Sequence, residues 1–269
     1  MQRTAEIGVL GGSGFYRLLD DVDFVRVATP YGLPSDDVAI GRLAERTVAF
    51  IPRHGREHTL PPAAINYRAN LWALQSIGVK RVIAPTAAGS LQSRVKPGHL
   101  VICDQFIDRT SGRKDTYFDT GPKVAHVSTA HPYCPVLREL AVEAATERGL
   151  EVHSRGTVVV IQGPRFSTRA ESTWFSSMAW DVVNMTQYPE VALARELEIC
   201  YVNLSLITDY DAGLEGNPDV HPVSVDEVVA QFATNTSRVR DVILDLIPRI
   251  PEARTCPCGT SMKDAFVHG

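Results

Sequence analysis

Short continuous apolar runs alternate along the chain with longer stretches in which apolar residues recur every three or four positions. Continuous runs are typical of strands buried on both faces of a sheet, and the three-to-four spacing is typical of helices packed on it. The runs predict strands at 7–10, 47–51, 80–84, 98–106, 152–161 and 200–207, with a further short strand ending at 184. The periodic stretches predict helices at 61–77, after 168, from 189, at 135–148 and at 225–246. The alternation predicts one α/β domain with a central mixed, partly parallel β-sheet flanked by helices.

The stretch 181–211 contains two of these strand ends, joined by one helix. The first strand ends in the polar triplet 184–186, and the second ends in 208–211, which carries two aspartates. Ligands of open α/β sheets lie beyond the carboxyl ends of the strands. Polar side chains at both ends therefore predict a binding site.

Polar residues follow the predicted strands at six places: 12–14, 53–54, 86–87, 163–167, 184–186 and 208–211. One such cluster is ordinary for a surface loop. Six clusters separated by apolar strands predict one composite site at an edge of the sheet.

The first cluster lies in a Gly-Gly-Ser-Gly turn at 11–14, where glycines give backbone N–H groups close access to an anion such as phosphate. It matches neither the G-x-G-x-x-G fingerprint nor a P-loop, which argues against a nicotinamide-dependent enzyme. Taken alone, the cluster fits a plain tight turn equally well.

The second cluster places Arg53 and His54 before Gly55. Arginine binds an oxyanion such as phosphate through two parallel N–H groups. Metal binding by His54 and His58 is a competing interpretation, but Gly55 and the flanking prolines disfavour a helix there and no third ligand is evident. A solvated polar loop would explain these residues without a ligand.

Composition and charge narrow the function classes. The net charge of the 269 residues is −4, which argues against nucleic-acid binding, and 44% hydrophobic residues are ample for a core. No stretch approaches the roughly 18 apolar residues of a membrane span. The N-terminal apolar run is too short for a secretory signal, so we expect a cytoplasmic protein. We expect one domain over 1–250, followed by a C-terminal tail, 251–269, that is mobile or covers the site.

Five cysteines lie at 103, 134, 200, 256 and 258. Cys103 and Cys200 lie in apolar runs, where a thiol behaves as a small hydrophobe. We interpret Cys256 and Cys258 as surface thiols, with a disulfide or redox role as the alternative. Zinc is disfavoured, because it usually needs four ligands and only His268 lies nearby in the sequence.

Seven segments span most of the chain in order: G-G-S-G-F at 11–15, P-R-H-G at 52–55, T-A-A-G-S-L at 86–91, D-Q-F-I-D-R-T at 104–110, Q-G-P-R-F-S-T-R-A-E-S at 162–172, N-M-T at 184–186 and T-D-Y-D at 208–211. Together they resemble the trimeric purine nucleoside phosphorylase family, and in particular its 5′-methylthioadenosine phosphorylase branch. The resemblance ends near residue 250. It implies a purine/uridine phosphorylase-like fold, a homotrimer, and phosphorolysis of 5′-methylthioadenosine to adenine and 5-methylthioribose 1-phosphate. Inorganic phosphate would be a co-substrate, with no metal or organic cofactor.

The resemblance also implies roles for individual residues. The phosphate site would comprise Ser13, Arg53, His54, Thr86, the backbone of Ala87, and Thr186. The nucleoside would contact Phe166, Ser167, Asn184 and Met185, and its 5′ end would contact Val225, Val228, Val229 and His126. His126 matches a position that reaches into a neighbouring subunit. The branch usually carries Thr at the place of Ser13, and Ser retains the hydroxyl.

Asp209 and Asp211 match the base-recognition pair of the family, and the chemistry supports that role. Cleavage of an N-glycosidic bond builds positive charge on the ribose and negative charge on the purine. A proton donor at purine N7 assists the base, and burial of Asp209 beside Asp211 would raise its pKa for that task. Two carboxylates also accept from the 6-amino group of adenine, whereas the 6-oxopurine branch carries Asn at the place of Asp209. An exposed acidic turn is the alternative.

Adenosine and 6-oxopurine nucleosides such as methylthioinosine are the alternative substrates. The tail that usually closes the 5′ pocket diverges here, and the three valines also fit a plain core face of a helix. A catalytically silent nucleoside-binding protein is disfavoured, because a binder has no need of Arg53, His54 and Thr186 together.

Overall fold

The computed structural model describes residues 4–11, 20–43, 45–213 and 225–267, with side chains at all of these except 20, 21 and 225–236. Within these ranges the strands are Ile7–Gly11 (β1), Asp20–Val25 (β2), Val38–Leu43 (β3), Arg46–Pro52 (β4), Arg81–Ser90 (β5), Leu100–Val101 (β6), Gln105–Arg109 (β7), Val152–His153 (β8), Thr157–Ile161 (β9), Val182–Asn184 (β10) and Cys200–Asp209 (β11). The helices are Tyr67–Ser76 (α1), Pro135–Glu147 (α2), Arg169–Ser177 (α3), Gln187–Glu196 (α4) and Val225–Arg249 (α5).

The strands form one mixed, partly parallel sheet, which confirms the predicted fold class. Its order is β2-β3-β4-β1-β5-β10-β9-β7, with β11 pairing with β5 and β6, and β8 beside β6. β1 is parallel to β4 and β5, and β11 is parallel to β5. β2, β3 and β4 are antiparallel, and β10 is antiparallel to β5.

The sheet divides along β5. β1 pairs with the first three residues of β5, up to Ile83, and β10 pairs with its end at Gly89 and Ser90. β11 pairs with β5 along nearly its whole length on the other side. Residues 84–88 therefore have no strand on the β1 side within the described residues. This opening at the carboxyl end of β1 is a topological switch point, where α/β sheets bind ligands.

Helices cover both faces of the sheet. α1 and α4 pack on one face, where Leu71, Leu74 and Val191 join the largest buried cluster. α2 and α5 pack on the other face, where Leu137 and Ile243 join the second cluster. Burying these apolar faces supplies the main driving force for the layered arrangement.

Several predicted boundaries need correction. The strand predicted at 80–84 extends to Ser90 through Pro85, whose carbonyl accepts a hydrogen bond from Arg53. The backbone of Pro85 thus faces the side of β5 that lacks a neighbouring strand, where a missing N–H costs no ladder bond. The helix predicted at 61–77 is a short 3-10 turn, Pro62–Ala64, followed by α1 with Asn66 as its N-cap.

Two long predicted strands are each interrupted. The segment 98–106 contains β6 and the start of β7, and 152–161 contains β8 and β9. The interruptions occur where the chain changes partner strands: β6 and β8 pair with each other, as do β7 and β9. Gly156 lies at this crossing, where an added Cβ would lie 2.5 Å from Val101. The composition of residues 29–41, rich in proline, glycine and aspartate, predicts a loop, but β3 begins at Val38.

Other local predictions are confirmed. Thr168 caps α3 in a reciprocal capping box with Glu171, as their spacing predicts. α4 becomes regular after Tyr188, whose φ and ψ are non-helical, so its helical turns begin at Pro189. The predicted cap of α5, Ser224, lies outside the described residues.

The C-terminal segment, which we expected to be mobile or to cover the site, packs on the body over residues 251–267. Cys258, Met262 and Ala265 are buried. The backbone of residues 265–267 pairs with residues 124–126 of the loop that precedes α2. Cys256 and Cys258 are not surface thiols: Cys256 is half-buried with its Sγ 3.3 Å from that of Cys200.

None of the helices that the structure describes is both long enough and apolar enough to span a membrane.

Candidate active site

The predicted site residues gather at the opening beside β5. Thr86 and Ala87 lie on β5, Asn184 ends β10, and Asp209 ends β11. Strand register places Thr86 opposite Ser205 and Asp209 opposite Gly89. The chain order and the sheet order therefore bring three of the six predicted clusters to one edge.

Arg53, which follows β4, is fully buried and its guanidinium is already bound within the protein. Nε and Nη2 donate to the two carboxylate oxygens of Glu190 on α4, a fully buried residue. Nη2 also donates to the Leu10 carbonyl at 2.8 Å, and Nη1 donates to the Pro85 carbonyl at 3.3 Å. The two parallel N–H groups that we expected to bind phosphate thus bind Glu190. Of the five N–H donors, one on Nη1 is left for a ligand.

The buried pair fixes the charge of Arg53. Burial opposes the charged guanidinium, but the Glu190 carboxylate outweighs it and raises the pKa of Arg53. Tyr201 donates a further hydrogen bond of 2.8 Å to Glu190. Arg53 is therefore a permanent cation that joins β1, β4, β5 and α4 behind the opening.

His54 is held as a neutral imidazole. Burial, with smaller contributions from the charges of Arg53 and His58, lowers its pKa to about 4. Its Nδ1 lies 2.8 Å from the Leu60 carbonyl, so Nδ1 carries the proton and donates it. Nε2 is then an acceptor near neutral pH, suited to the O–H of a phosphate rather than to its anionic oxygens.

Thr86 belongs to a buried polar network. Its hydroxyl accepts from the Asn203 amide at 3.0 Å and from the Asn184 amide at 3.4 Å. Ser205 donates to Asn203 at 2.7 Å and lies 3.4 Å from Thr86. Both lone pairs of the Thr86 hydroxyl are engaged, which leaves its O–H as a donor with only a long contact to Ser205.

Met185 and Gly163 bring the ends of β9 and β10 together. An added Cβ on Gly163, where φ is 62°, would lie 2.6 Å from the Met185 sulfur. Phe166, in the loop after β9, is 37% exposed, and Ser167 is half-buried. These residues border the opening on the side away from Arg53.

Asp209 and Asp211 lie together at the end of β11, against Gly89. The Thr208 hydroxyl and the Asp211 backbone N–H each donate to the Asp209 carboxylate at 2.7 Å. An added Cβ on Gly89 would lie 2.8 Å from Asp209 Oδ1 and 3.2 Å from the Asp211 Cβ. Only glycine at position 89 leaves room for this pair.

The structure raises the pKa of Asp211, the partner of Asp209 in the expected coupled pair, and the raised pKa expected for Asp209 stays a prediction. Asp211 is 3% exposed. Burial is the main cause of its raised pKa, and the Asp209 charge acts in the same direction. The Ser167 and Ser172 hydroxyls and the Ala212 backbone lie near enough to oppose this change, although the Ser167 hydroxyl does not reach hydrogen-bond geometry with the Asp211 carboxyl. Asp211 is thus a candidate for a carboxyl group that retains its proton.

Buried polar atoms without a hydrogen bond concentrate at this site. Among the described residues there are four such side-chain atoms: Arg113 Nε, Ser167 Oγ, Asn184 Oδ1 and Asp211 Oδ2. Ser167, Asn184 and Asp211 are predicted nucleoside-site residues. Leaving such atoms unpaired costs about 1–3 kcal/mol each, so they indicate a polar ligand that pairs with them.

Some predicted site residues are not brought into this group. His126 is exposed on the loop that pairs with the C-terminal segment. Ser13 lies outside the described residues, and the side chains of Val225, Val228 and Val229 lie outside the described part of α5. Thr186 is buried as the N-cap residue of α4, without a side-chain capping bond. The roles of these residues stay predictions.

Sequence reasoning missed several residues that build the site. These are Gly89, Arg113, Glu190, Asn203 and Ser205. Asn203 and Ser205 are two apart in β11 and share one face, which is the signal that could have revealed them. Arg113 donates to the carbonyls of Ile161 and Gln162 and so holds the 111–128 loop against the end of β9.

The described residues show one group of His, Cys, Asp or Glu side chains close enough to share a metal ion, and it lies away from this opening. It comprises Cys134, Cys200, Cys256 and Cys258.

Comparisons with known proteins agree with this geometry. The family model described as "Phosphorylase superfamily" matches residues 6–248. The chain is 54% identical to a purine nucleoside phosphorylase of Streptomyces coelicolor, over 96% of this chain and 94% of that one. It is 50% identical to an S-methyl-5′-thioadenosine phosphorylase of Pyrococcus abyssi, over 97% and 99%. The structure matches a methylthioadenosine phosphorylase of Schistosoma mansoni, solved with adenine, with a TM-score of 0.86, 37% identity and 91% coverage of each chain.

Proposed function

Because the chain belongs to the phosphorylase superfamily, we propose that it cleaves 5′-methylthioadenosine with inorganic phosphate, giving adenine and 5-methylthioribose 1-phosphate. Relatives that carry the S-methyl-5′-thioadenosine phosphorylase name, at about half identity over nearly the whole chain, support this substrate. The observation that carries the proposal is the Asp209–Asp211 pair at the end of β11, with a buried, unpaired Asp211 oxygen.

Phosphate binds in the opening beside β5, beneath the ribose. One of its oxygens attacks C1′ as the C1′–N9 bond breaks, and the bonding electron pair leaves with the purine. The Thr86 O–H, the remaining Nη1–H of Arg53 and the Ala87 backbone hold the phosphate. Ser13 and Thr186 add hydroxyl groups. The neutral His54 accepts the phosphate O–H at Nε2, so the phosphate keeps the negative charge that stabilises the cationic ribose.

The departing purine receives its proton at N7 from the carboxyl pair. Because burial raises the pKa of Asp211 and so favours its protonated form, we assign this proton to Asp211, and Asp209 accepts from the 6-amino group of adenine. Asn184 and Ser167 pair with the ribose and the base, while Phe166 and Met185 pack on them. A 6-oxopurine would place an acceptor against these carboxylate oxygens, which disfavours inosine-type substrates.

The name of the Streptomyces relative favours a second candidate, a purine nucleoside phosphorylase that acts on adenosine or on methylthioinosine. The two candidates differ at the 5′ end of the nucleoside. We assign Val225, Val228 and Val229 of α5 to that end, with His126 supplied by a neighbouring subunit. An apolar 5′ subsite of this kind would favour a methylthio group over a hydroxyl.

The enzyme works as a homotrimer in the cytoplasm. The exposed position of His126 in a single chain supports a site that is shared between copies. Inorganic phosphate is the co-substrate, and the proposed reaction requires no metal or organic cofactor. Sedimentation equilibrium tests the assembly, and a monomer with full activity would contradict it.

The substrate is tested by incubating the protein with 5′-methylthioadenosine, adenosine, inosine and methylthioinosine, each with and without phosphate, and measuring the free base. We expect phosphate-dependent adenine release, fastest from 5′-methylthioadenosine. Faster release from adenosine or methylthioinosine would favour the second candidate. Base release without phosphate would identify a hydrolase, and no release from any substrate would overturn the proposal.

A further inference from the structure

Four of the five cysteines lie in one cluster, away from the proposed active site. The sulfur atoms of Cys134, Cys200, Cys256 and Cys258 all lie within 4.8 Å of one another. A tetrahedral zinc site with Zn–S bonds of about 2.3 Å has sulfur-to-sulfur distances of about 3.8 Å. Each sulfur is near the other three, as a tetrahedron requires. The cluster therefore has the dimensions of a four-thiolate metal site.

Three separate elements bring these cysteines together. Cys134 is the N-cap residue of α2, and Cys200 is the first residue of β11. The Cys134 backbone N–H donates to the Tyr201 carbonyl at 2.9 Å, which holds these two elements side by side. Cys256 and Cys258 come from the C-terminal segment, at a short 3-10 turn, Pro257–Thr260. Three of the thiols are buried and Cys256 is half-buried, so an ion could enter from the Cys256 side.

The surroundings of the cluster suit a group with negative charge. Four thiolates around a divalent cation leave a net charge of about −2. Arg81 and Arg254 line the same small cavity as Cys134, Cys200 and Cys256. Arg254 donates to the Glu198 carbonyl and makes no salt bridge with a carboxylate among the described residues. The N-terminus of α2 adds its positive dipole end at Cys134.

We propose that Cys134, Cys200, Cys256 and Cys258 form a tetrahedral site for a soft divalent metal, with zinc as the expected ion. Binding replaces four S–H bonds by four metal–sulfur bonds and releases the thiol protons to solvent, with no change of oxidation state. Sequence spacing disfavoured zinc because only His268 lies near Cys256 and Cys258. The fold supplies the two missing ligands from positions 134 and 200.

The site would fasten the C-terminal segment to the body. Arg81 already donates to the carbonyls of Pro251 and Glu252, at 2.6 and 2.7 Å. Beyond the cluster, the segment pairs with the loop that carries His126. A metal at the cluster would therefore stabilise a segment that a reduced, metal-free chain holds by weaker contacts.

The test uses the full chain, kept reduced with a phosphine and free of chelators. Elemental mass spectrometry measures the zinc content per chain. We expect about one zinc per chain in the wild type and near-complete loss in Cys256→Ser/Cys258→Ser. Cys103→Ser is the matched control, because Cys103 is buried outside the cluster, and it should keep its zinc. Stripping the metal should lower Tm in the wild type and leave the double variant unchanged.

A second measurement does not depend on any variant folding. Metal-free, fully reduced wild type is titrated with Co²⁺, and the absorption of tetrahedral cobalt–thiolate is followed until zinc displaces it. Saturation at one equivalent supports the site. No uptake of either ion by the reduced protein overturns the proposal. Neither readout depends on nucleoside cleavage, so the result stands apart from the proposed function.

Discussion

The two halves of the proposed active site, one for phosphate and one for the base, differ in how far their polar groups are already paired within the protein. In the phosphate half, Arg53 is bound to Glu190 and to backbone carbonyls, and His54 is bound to the Leu60 carbonyl. In the base half, Ser167, Asn184 and Asp211 each keep a buried polar atom without a partner. The phosphate half is thus assembled by internal bonds before any ligand arrives. The base half is completed by the ligand, which makes it the half where specificity is decided.

The largest expected effect comes from replacing Asp211, the carboxyl group of the base half to which we assign the proton. Asp211→Asn should lower kcat on 5′-methylthioadenosine by about 100- to 10,000-fold, the range for loss of a general acid. The measurement is the steady-state rate of adenine release. Asp264→Asn, an exposed aspartate on the C-terminal segment, is the control and should leave the rate unchanged. A rate for Asp211→Asn within a few-fold of wild type would remove Asp211 from the chemistry.

Breaking the phosphate half should chiefly cost stability. Glu190→Gln leaves the buried Arg53 without its counter-charge, which should lower the free energy of unfolding by about 3–5 kcal/mol. Urea denaturation measures the change. Glu147→Gln removes one partner of an exposed pair with Arg249 and should have little effect. Equal losses of unfolding free energy in Glu190→Gln and Glu147→Gln would contradict the larger contribution that we assign to the buried Arg53–Glu190 pair.

The site was predictable from sequence where its residues are polar and follow apolar strands, as with Asn184 and Asp209. It was not predictable where the partner comes from a distant element. Glu190 looks like a surface residue of an amphipathic helix until the fold places it against Arg53. The need for glycine at position 89 is apparent only in the fold. There, an added Cβ would lie 2.8 Å from Asp209 Oδ1 and 3.2 Å from the Asp211 Cβ.

The fold was predictable at the level of alternating strands and helices, because that pattern follows from burial. The positions of the strand ends were less predictable. Pro85 is normally a reason to end a strand, and only the division of the sheet beside β5 makes it acceptable there. The edge strand β2 was missed although Val22 and Phe24 alternate with aspartates, because the alternating run is short and acidic. The cysteine cluster was missed for a further reason, since its members are separated by up to 124 positions along the chain, from 134 to 258.

A smaller effect should follow from filling the space beside the carboxyl pair. Gly89→Ala places a Cβ 2.8 Å from Asp209 Oδ1. This close contact should cost about 1–3 kcal/mol of stability if the pair shifts to make room. Because the shift displaces the base half, KM for 5′-methylthioadenosine should rise more than KM for phosphate. Equal changes in the two KM values would contradict the assignment of Gly89 to the base half.

The smallest effect concerns His54 and pH. Its pKa is near 4 when folded and near 6.5 when unfolded, so the unfolded chain binds more protons between these values. The contribution of neutral His54 to stability is therefore fully present above about pH 6.5. It is lost as pH falls towards 4, because the unfolded chain takes up the proton first. Between pH 7 and 5, wild type should lose about 1–2 kcal/mol more than His54→Gln. His131→Gln, an exposed histidine, should behave like wild type. A pH dependence that survives in His54→Gln would mean that another group titrates.

The comparison of the two halves rests most directly on the protonation of Asp211. The decisive measurement is the pH profile of kcat/KM for 5′-methylthioadenosine at saturating phosphate, in wild type, Asp211→Asn and Asp264→Asn. The raised pKa of Asp211 predicts that kcat/KM of wild type and Asp264→Asn falls as pH rises through that pKa, since the required proton is lost. The same alkaline fall should be absent from the residual activity of Asp211→Asn. An unchanged alkaline fall in Asp211→Asn would contradict the account.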